Sequence, residues 1–202
     1  MTERSRRSGA RPYEIVAIAA SAGGLTALTS VLGPLPADLN AAVVVVQHLD
    51  PRHRSLMAQI VGRRTRMPVS EAVDGVEMRP GSVYLAPPNQ HMLVNRDGTI
   101  SLTQTELVNF VRPSADLLFE SVAAAYGERA IAVVLTGTGH DGAMGVTAIK
   151  KRGGTVIVQD EASSEFFGMP SSAIKTGTVD FILALDEIAA ALQTLLAGEV
   201  AD

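Results

Sequence analysis

Three polar residues follow aliphatic runs, and their types suit acyl transfer. Ser21 closes the run "IVAIAA" and is followed by Ala22, Gly23 and Gly24. His48 closes "AVVVVQH", and Asp141 lies in "LTGTGHDG". A serine hydroxyl is a weak nucleophile until an imidazole takes its proton. A carboxylate then holds the imidazole in the right tautomer and stabilises its cation. Such triads are defined by geometry and roles, so the chain order Ser, His, Asp is no objection.

The glycines after Ser21 allow a sharp turn into a helix with the hydroxyl at the corner. Backbone amides there, beginning with Ala22, would face outward at the positive end of the helix dipole and hold an oxyanion. The turn "GTGHDG", with Thr138 and Gly139, would supply a second donor near Asp141. Plainer roles compete at each position. Ser21 would serve as a helix cap, His48 as a hydrogen-bonded surface histidine, and Asp141 as the N-cap of a helix starting near Gly142. A phosphate cradle also competes, but S-A-G-G is neither G-x-G-x-x-G nor a P-loop, and Gln47-His48 stands where a dinucleotide fold wants an acid. His53, His91 and His140 are further bases without metal-ligand spacing. Asp50, Asp74, Asp97 and Asp160 read as solvated loop acids.

Positioning the three corners requires a sheet. The runs at 14–19, 41–47, 130–136 and 155–159 are almost continuously apolar, which marks parallel strands covered on both faces. Helical stripes lie between them: Leu25, Leu28 and Leu32; Leu118, Val122, Ala125 and Tyr126, stopping at Gly127; and Ile188, Leu192, Leu195 and Leu196, with Asp186 as N-cap. The alternation predicts an α/β fold, a three-layer αβα sandwich around a doubly wound, mostly parallel sheet. Residues 82–104 predict an antiparallel hairpin, turning at "RDG", added at one sheet edge. All strands of a parallel sheet end on one side, so the three corners share a rim.

Composition bounds the rest. The chain has 202 residues, 47% of them hydrophobic, with 4% aromatic and no Trp, which suits one domain with an aliphatic core. The domain is expected over 13–202, after a disordered basic tail at 1–12. No Cys is present, so disulfides and thiolate chemistry are excluded. A net charge of −4 argues against nucleic-acid binding. No apolar stretch is long enough to cross a bilayer, and no secretion signal is evident, so a cytoplasmic protein without membrane insertion is expected.

Several motifs in order carry a resemblance. "AASAGG" (19–24), "VVQHLDP" (45–51), "GSVYLAPPNQHM" (81–92), "RPSADLLFESVA" (112–123), "LTGTGHDGAMG" (135–145) and "FGMPSSAI" (167–174) make the chain similar to the catalytic domain of chemotaxis protein-glutamate methylesterases, the CheB family. The similarity runs from about residue 14 to 196. It implies that Ser21, His48 and Asp141 form the catalytic triad. It implies hydrolysis of γ-glutamyl methyl esters on cytoplasmic helices of chemoreceptor-type proteins, with deamidation of certain glutamines, and no cofactor or metal. A receptor helix is too large for a deep pocket, so an open cleft is expected. Arg112 matches the family and is assigned no chemistry, with a structural role in an edge loop as the alternative, while Phe166, Phe167 and Met169 either line the cleft rim or pack beneath it.

The chain departs from the family in three places. Thr138 stands where the family commonly has methionine, and Ala22 where threonine is frequent; both adjoin the expected oxyanion site. About a dozen residues precede the first strand, where many members carry a receiver domain. The site is therefore expected to be constitutively open or governed by a separate regulatory protein. A non-catalytic module of the same fold, binding a receptor or regulator, is the competing reading.

Overall fold

The computed structural model describes residues 13–48 and 55–198. The tail at 1–12, His53 and Asp50 lie outside the described residues.

Continuous apolar runs become the middle of the sheet, as their pattern predicts. Strands β1 (Ile15–Ala20), β2 (Ala42–Gln47), β7 (Ala130–Val134) and β8 (Thr155–Gln159) are buried throughout. Three shorter strands complete it: β3 (Val69–Glu71), β4 (Val83–Leu85) and β9 (Phe181–Leu183). The order is β3-β4-β2-β1-β7-β8-β9, and every pairing is parallel.

Side-chain alternation divides the core into two layers. Val16, Ile18, Val43, Val45, Ile131 and Val133 pack with helices α1 (Gly24–Leu32), α2 (Met57–Gly62) and α6 (Leu185–Leu196). Ala17, Ala19, Val44, Val46, Ala132 and Val134 pack with α3 (Ala115–Tyr126), α4 (Ala143–Lys151) and α5 (Gly168–Lys175). The sandwich is therefore doubly wound. The order reverses at β1, where the chain first adds β2 on one side and later β7 on the other. Crevices that hold ligands in open α/β sheets form at such a reversal, beyond the carboxyl ends of the strands.

Two expectations need correction. The antiparallel hairpin exists, as β5 (His91–Val94) and β6 (Ile100–Thr103), but as a separate two-stranded sheet. It cannot extend the main sheet beside β4, because both edges of β4 are already taken by β2 and β3. Its apolar face, Met92, Val94 and Ile100, packs into the core layer of α3 instead. Asp186 does not cap α6. Ala184 holds the N-cap position, and the Glu187 carboxylate accepts its amide at 3.1 Å, leaving Asp186 in the first turn.

Candidate active site

β2, β1 and β7 are adjacent, and the segments after them carry His48, Ser21 and Asp141. Ser21 donates its amide to Thr136 O at 3.0 Å, and His48 donates its amide to Ala20 O at 3.1 Å. These bonds continue the sheet ladders one residue past the strand ends. Ser21 and His48 thus sit on neighbouring strands, spaced about 4.8 Å apart in such a ladder.

The turn after Ser21 is built for close approach. Gly23 adopts a left-handed conformation (φ 77°), and the Gly24 amide closes onto Ser21 O at 2.9 Å. A Cβ at Gly24 would lie 1.9 Å from Gln47 Oε1, so only glycine lets the Gln47 side chain reach under the corner. On the other side, a Cβ at Gly137 would lie 2.8 Å from Ser21 Cβ and 2.4 Å from Met169 Sδ.

His48 Nε2 lies 2.8 Å from Asp141 Oδ2. Asp141 is buried, 4% exposed, and its carboxylate is gripped from every side. Oδ1 accepts from the Ser114 hydroxyl at 2.8 Å and the Asp116 amide at 3.1 Å; Oδ2 accepts from the Ala115 amide at 2.6 Å as well as from His48. Burial pushes the carboxyl's pKa up, but the His48 hydrogen bond, the Ala115 amide, the His48 charge and the Asp116 amide outweigh it and hold it below the ordinary aspartate value. All four partners act as donors, so the ionised carboxylate fixes the His48 tautomer. A proton on Nε2 satisfies this contact, and in the neutral ring Nδ1 then carries the lone pair.

Asp141 therefore does not cap the helix that follows it. It caps α3, whose N-cap residue Ser114 also accepts the Leu117 amide at 3.4 Å. Among the described residues, none hydrogen-bonds the Ser21 hydroxyl, which is half-buried. A hydroxyl and an imidazole on neighbouring strands can close such a contact when a ligand binds.

The expected oxyanion residues are less closely fixed. No described residue accepts from the Ala22 amide, which follows Ser21 directly; its carbonyl accepts the Thr136 hydroxyl at 3.1 Å. Thr138 and Gly139 lie in the exposed β7–α4 loop. That loop is pinned where it starts, by Gly137 N to Phe166 O at 2.9 Å and Met169 N to Gly137 O at 2.8 Å. Met169 is buried beneath it, Phe167 is half-buried and Phe166 is 40% exposed.

The other expected bases are placed elsewhere. His91 is fully buried, accepting the Ser114 amide on Nδ1 at 3.1 Å and donating Nε2–H to Glu106 O at 3.0 Å. His140 is exposed. Arg112 acts structurally, placing Nε and Nη2 on Asn89 Oδ1 (3.0 and 2.7 Å) and Nη1 on Gln104 O and Thr105 O. Among the described residues no cluster of three or more His, Asp or Glu is arranged to hold a metal ion.

One contributor was not expected from the pattern. Gln47 Nε2 donates to Ser21 O at 2.7 Å and to His48 O at 3.0 Å, so a single side-chain amide ties the two corners together. Its Oε1 is buried without a partner. Gln47→Leu removes the tie and, with it, that orphaned acceptor. Its kcat is expected to fall about 10²-fold, the scale of an ångström-size misplacement of reacting groups. Tm should drop far less, since the lost hydrogen bonds are offset by relief of an unmet acceptor. Ester kinetics and a melting curve on the same sample check this; an unchanged kcat contradicts it.

The CheB methylesterase family model matches residues 16–192. The chain belongs to the CheB methylesterase family. It is thereby an enzyme of the methylesterase type. A relative in Leptospira interrogans is 41% identical over 177 residues, covering 88% of this chain and 92% of its own. The protein-glutamate methylesterase/protein-glutamine glutaminase of Moorella thermoacetica is 41% identical over 198 residues. This chain matches 47% of that protein's length. The crystal structure of the Thermotoga maritima CheB methylesterase catalytic domain superposes with a TM-score of 0.86 at 36% identity, covering 90% of this chain and 98% of that one. No described helix is long and apolar enough to cross a membrane.

Proposed function

We propose that this chain removes methyl esters from glutamate side chains on the cytoplasmic helices of chemoreceptor-type proteins, and releases ammonia from certain glutamines by the same route. Ser21 is the nucleophile, His48 the general base and acid, and Asp141 the carboxylate that orients it. The observation that carries this reading is the 2.8 Å His48–Asp141 contact, with Asp141 held ionised by three further donors, one strand away from Ser21.

The chemistry follows from the tautomer. His48 Nδ1 takes the Ser21 proton as Oγ attacks the ester carbonyl carbon. The carbonyl electron pair moves onto oxygen, beside the Ala22 amide and within reach of the Thr138–Gly139 loop. Collapse expels the methoxy group, which leaves as methanol with the proton from His48. Water then gives His48 a proton and attacks the acyl-enzyme, releasing a glutamate carboxylate and restoring Ser21. With an amide substrate the leaving group is ammonia. Ser21 lies half-buried beside an exposed loop, which suits a side chain offered from a large partner helix.

A helical receptor fragment carrying γ-methyl glutamate is expected to release methanol in proportion to enzyme. Gas chromatography of methanol and the mass of the fragment read the result. A fragment that binds and keeps its methyl groups would overturn the reading in favour of a binding module.

A further inference from the structure

Two buried carboxylates face each other where α3 and α4 begin, and each caps the other's helix. Asp141 precedes α4 but accepts the Ala115 and Asp116 amides of α3. Asp116 lies in the first turn of α3, yet its Oδ1 accepts the Gly142 amide at 2.9 Å and the Gly145 amide at 2.8 Å, which open α4. Its Oδ2 accepts from Asn109 Nδ2 at 2.9 Å. Both aspartates are 4% exposed.

Paired buried anions are costly, so the arrangement calls for a reason. Burial foremost, and then the charge of Asp141, raise the Asp116 pKa against the Gly145, Gly142 and Asn109 hydrogen bonds. The start of α3 does not require Asp116, because Ser114 and Asp141 already supply its acceptors. What Asp116 holds is the peptide immediately after Asp141. The helices are pressed together at this point: a Cβ at Gly145 would lie 2.6 Å from Phe119 Cβ and 3.2 Å from Asp116 Cα.

We propose that Asp116 is a positioning residue for the Asp141–His48 pair. By fixing the Gly142 and Gly145 amides, it sets the direction from which the Asp141 carboxylate meets His48. The inference rests on the reading in which Asp141 orients His48.

The test uses a peptide containing γ-methyl glutamate as substrate and compares kcat and KM. Asp116→Ala is expected to lower kcat about 10- to 100-fold, the usual scale for a supporting group behind a primary one, with KM within about twofold. Asp116→Asn keeps an oxygen for both amides once the Asn109 amide turns over, and should recover kcat to within about threefold of wild type. A wild-type kcat in the Ala variant, a loss carried by KM, or an Asn variant as slow as the Ala variant would overturn the proposal. If the Ala variant does not fold, Asp116→Glu decides, because it keeps the charge and displaces the caps. Its kcat must then fall about tenfold or more, and an unchanged kcat overturns the proposal. Asp141→Asn is run beside them. Full activity there defeats the orienting role of Asp141 itself, whereas an inactive Asp141→Asn with fully active Asp116 variants defeats only the inference.

Discussion

Ser21→Ala is expected to lower methanol release by about 10⁶-fold, to a residue of turnover supported only by binding and oxyanion contacts. The variant removes one oxygen and nothing that holds the corner. The Ser21 amide still bonds Thr136 O, its carbonyl still accepts Gln47 Nε2, and the Cβ that packs on Gly137 remains. Far-UV circular dichroism and Tm should therefore match wild type closely. A serine-directed fluorophosphonate should add its mass to Ser21 in wild type and leave the alanine variant unlabelled. Labelling elsewhere together with lost activity, or substantial turnover in the variant, would remove Ser21 from the mechanism.

Asp141→Asn is expected to cost about 10⁴-fold in kcat, with a cause that can be read directly. An amide at this position has one acceptor oxygen for four donors. With its oxygen toward Ser114 and Asp116, its NH₂ group faces the Ala115 amide and His48 Nε2, where Oδ2 now accepts both. His48 must then move its proton to Nδ1 to avoid a donor–donor contact, and the lone pair needed for Ser21 is lost. Nitrogen-15 NMR of the His48 ring checks the tautomer; an unchanged tautomer with unchanged kcat refutes the assignment. The buried Ala115 N–H left unpaired costs about 1–3 kcal/mol, so this variant, unlike Ser21→Ala, should also melt earlier. Because the folded-state pKa of Asp141 lies below its ordinary value, its stabilising contribution is complete above that value and disappears as pH falls through the lowered one. The stability gap between wild type and Asp141→Asn should accordingly be widest near neutrality and close in acid.

Long, uniformly apolar strands were legible because burial on both faces removes any reason for alternation. β1, β2, β7 and β8 follow their runs closely, and strand ends alone led to Ser21, His48 and Asp141. β3 and β9 escaped because each is three residues at a sheet edge, with exposed positions such as Glu71, Phe181 and Ile182. β4 was hidden inside the hairpin stretch, although its three buried residues carry the parallel-strand pattern. The role of Asp141 as a cap for α3 has no local signal: its partners lie upstream at 114–116, and only the meeting of two helix starts joins them. Ser114, four residues ahead of Leu118, is the N-cap of α3, a cue that went unread. The Gln47 tie depends on a missing Cβ at Gly24 across a strand gap, which no spacing rule reports.

The pairing of Ile15 with Ala130 on β1 and β7 also joins segments far apart in the chain. Ser21 and His48 can come together once the first two strands zip, a short-range step. Asp141 joins only after a long stretch of chain has been closed into a loop, a slow and entropically costly step. Refolding protein should thus regain the helix signal of α4 and α5, which pack on β7 and β8, together with ester cleavage rather than before it. Recovered turnover is a clock for the docking of β7, the moment at which the segment carrying Asp141 reaches the rim.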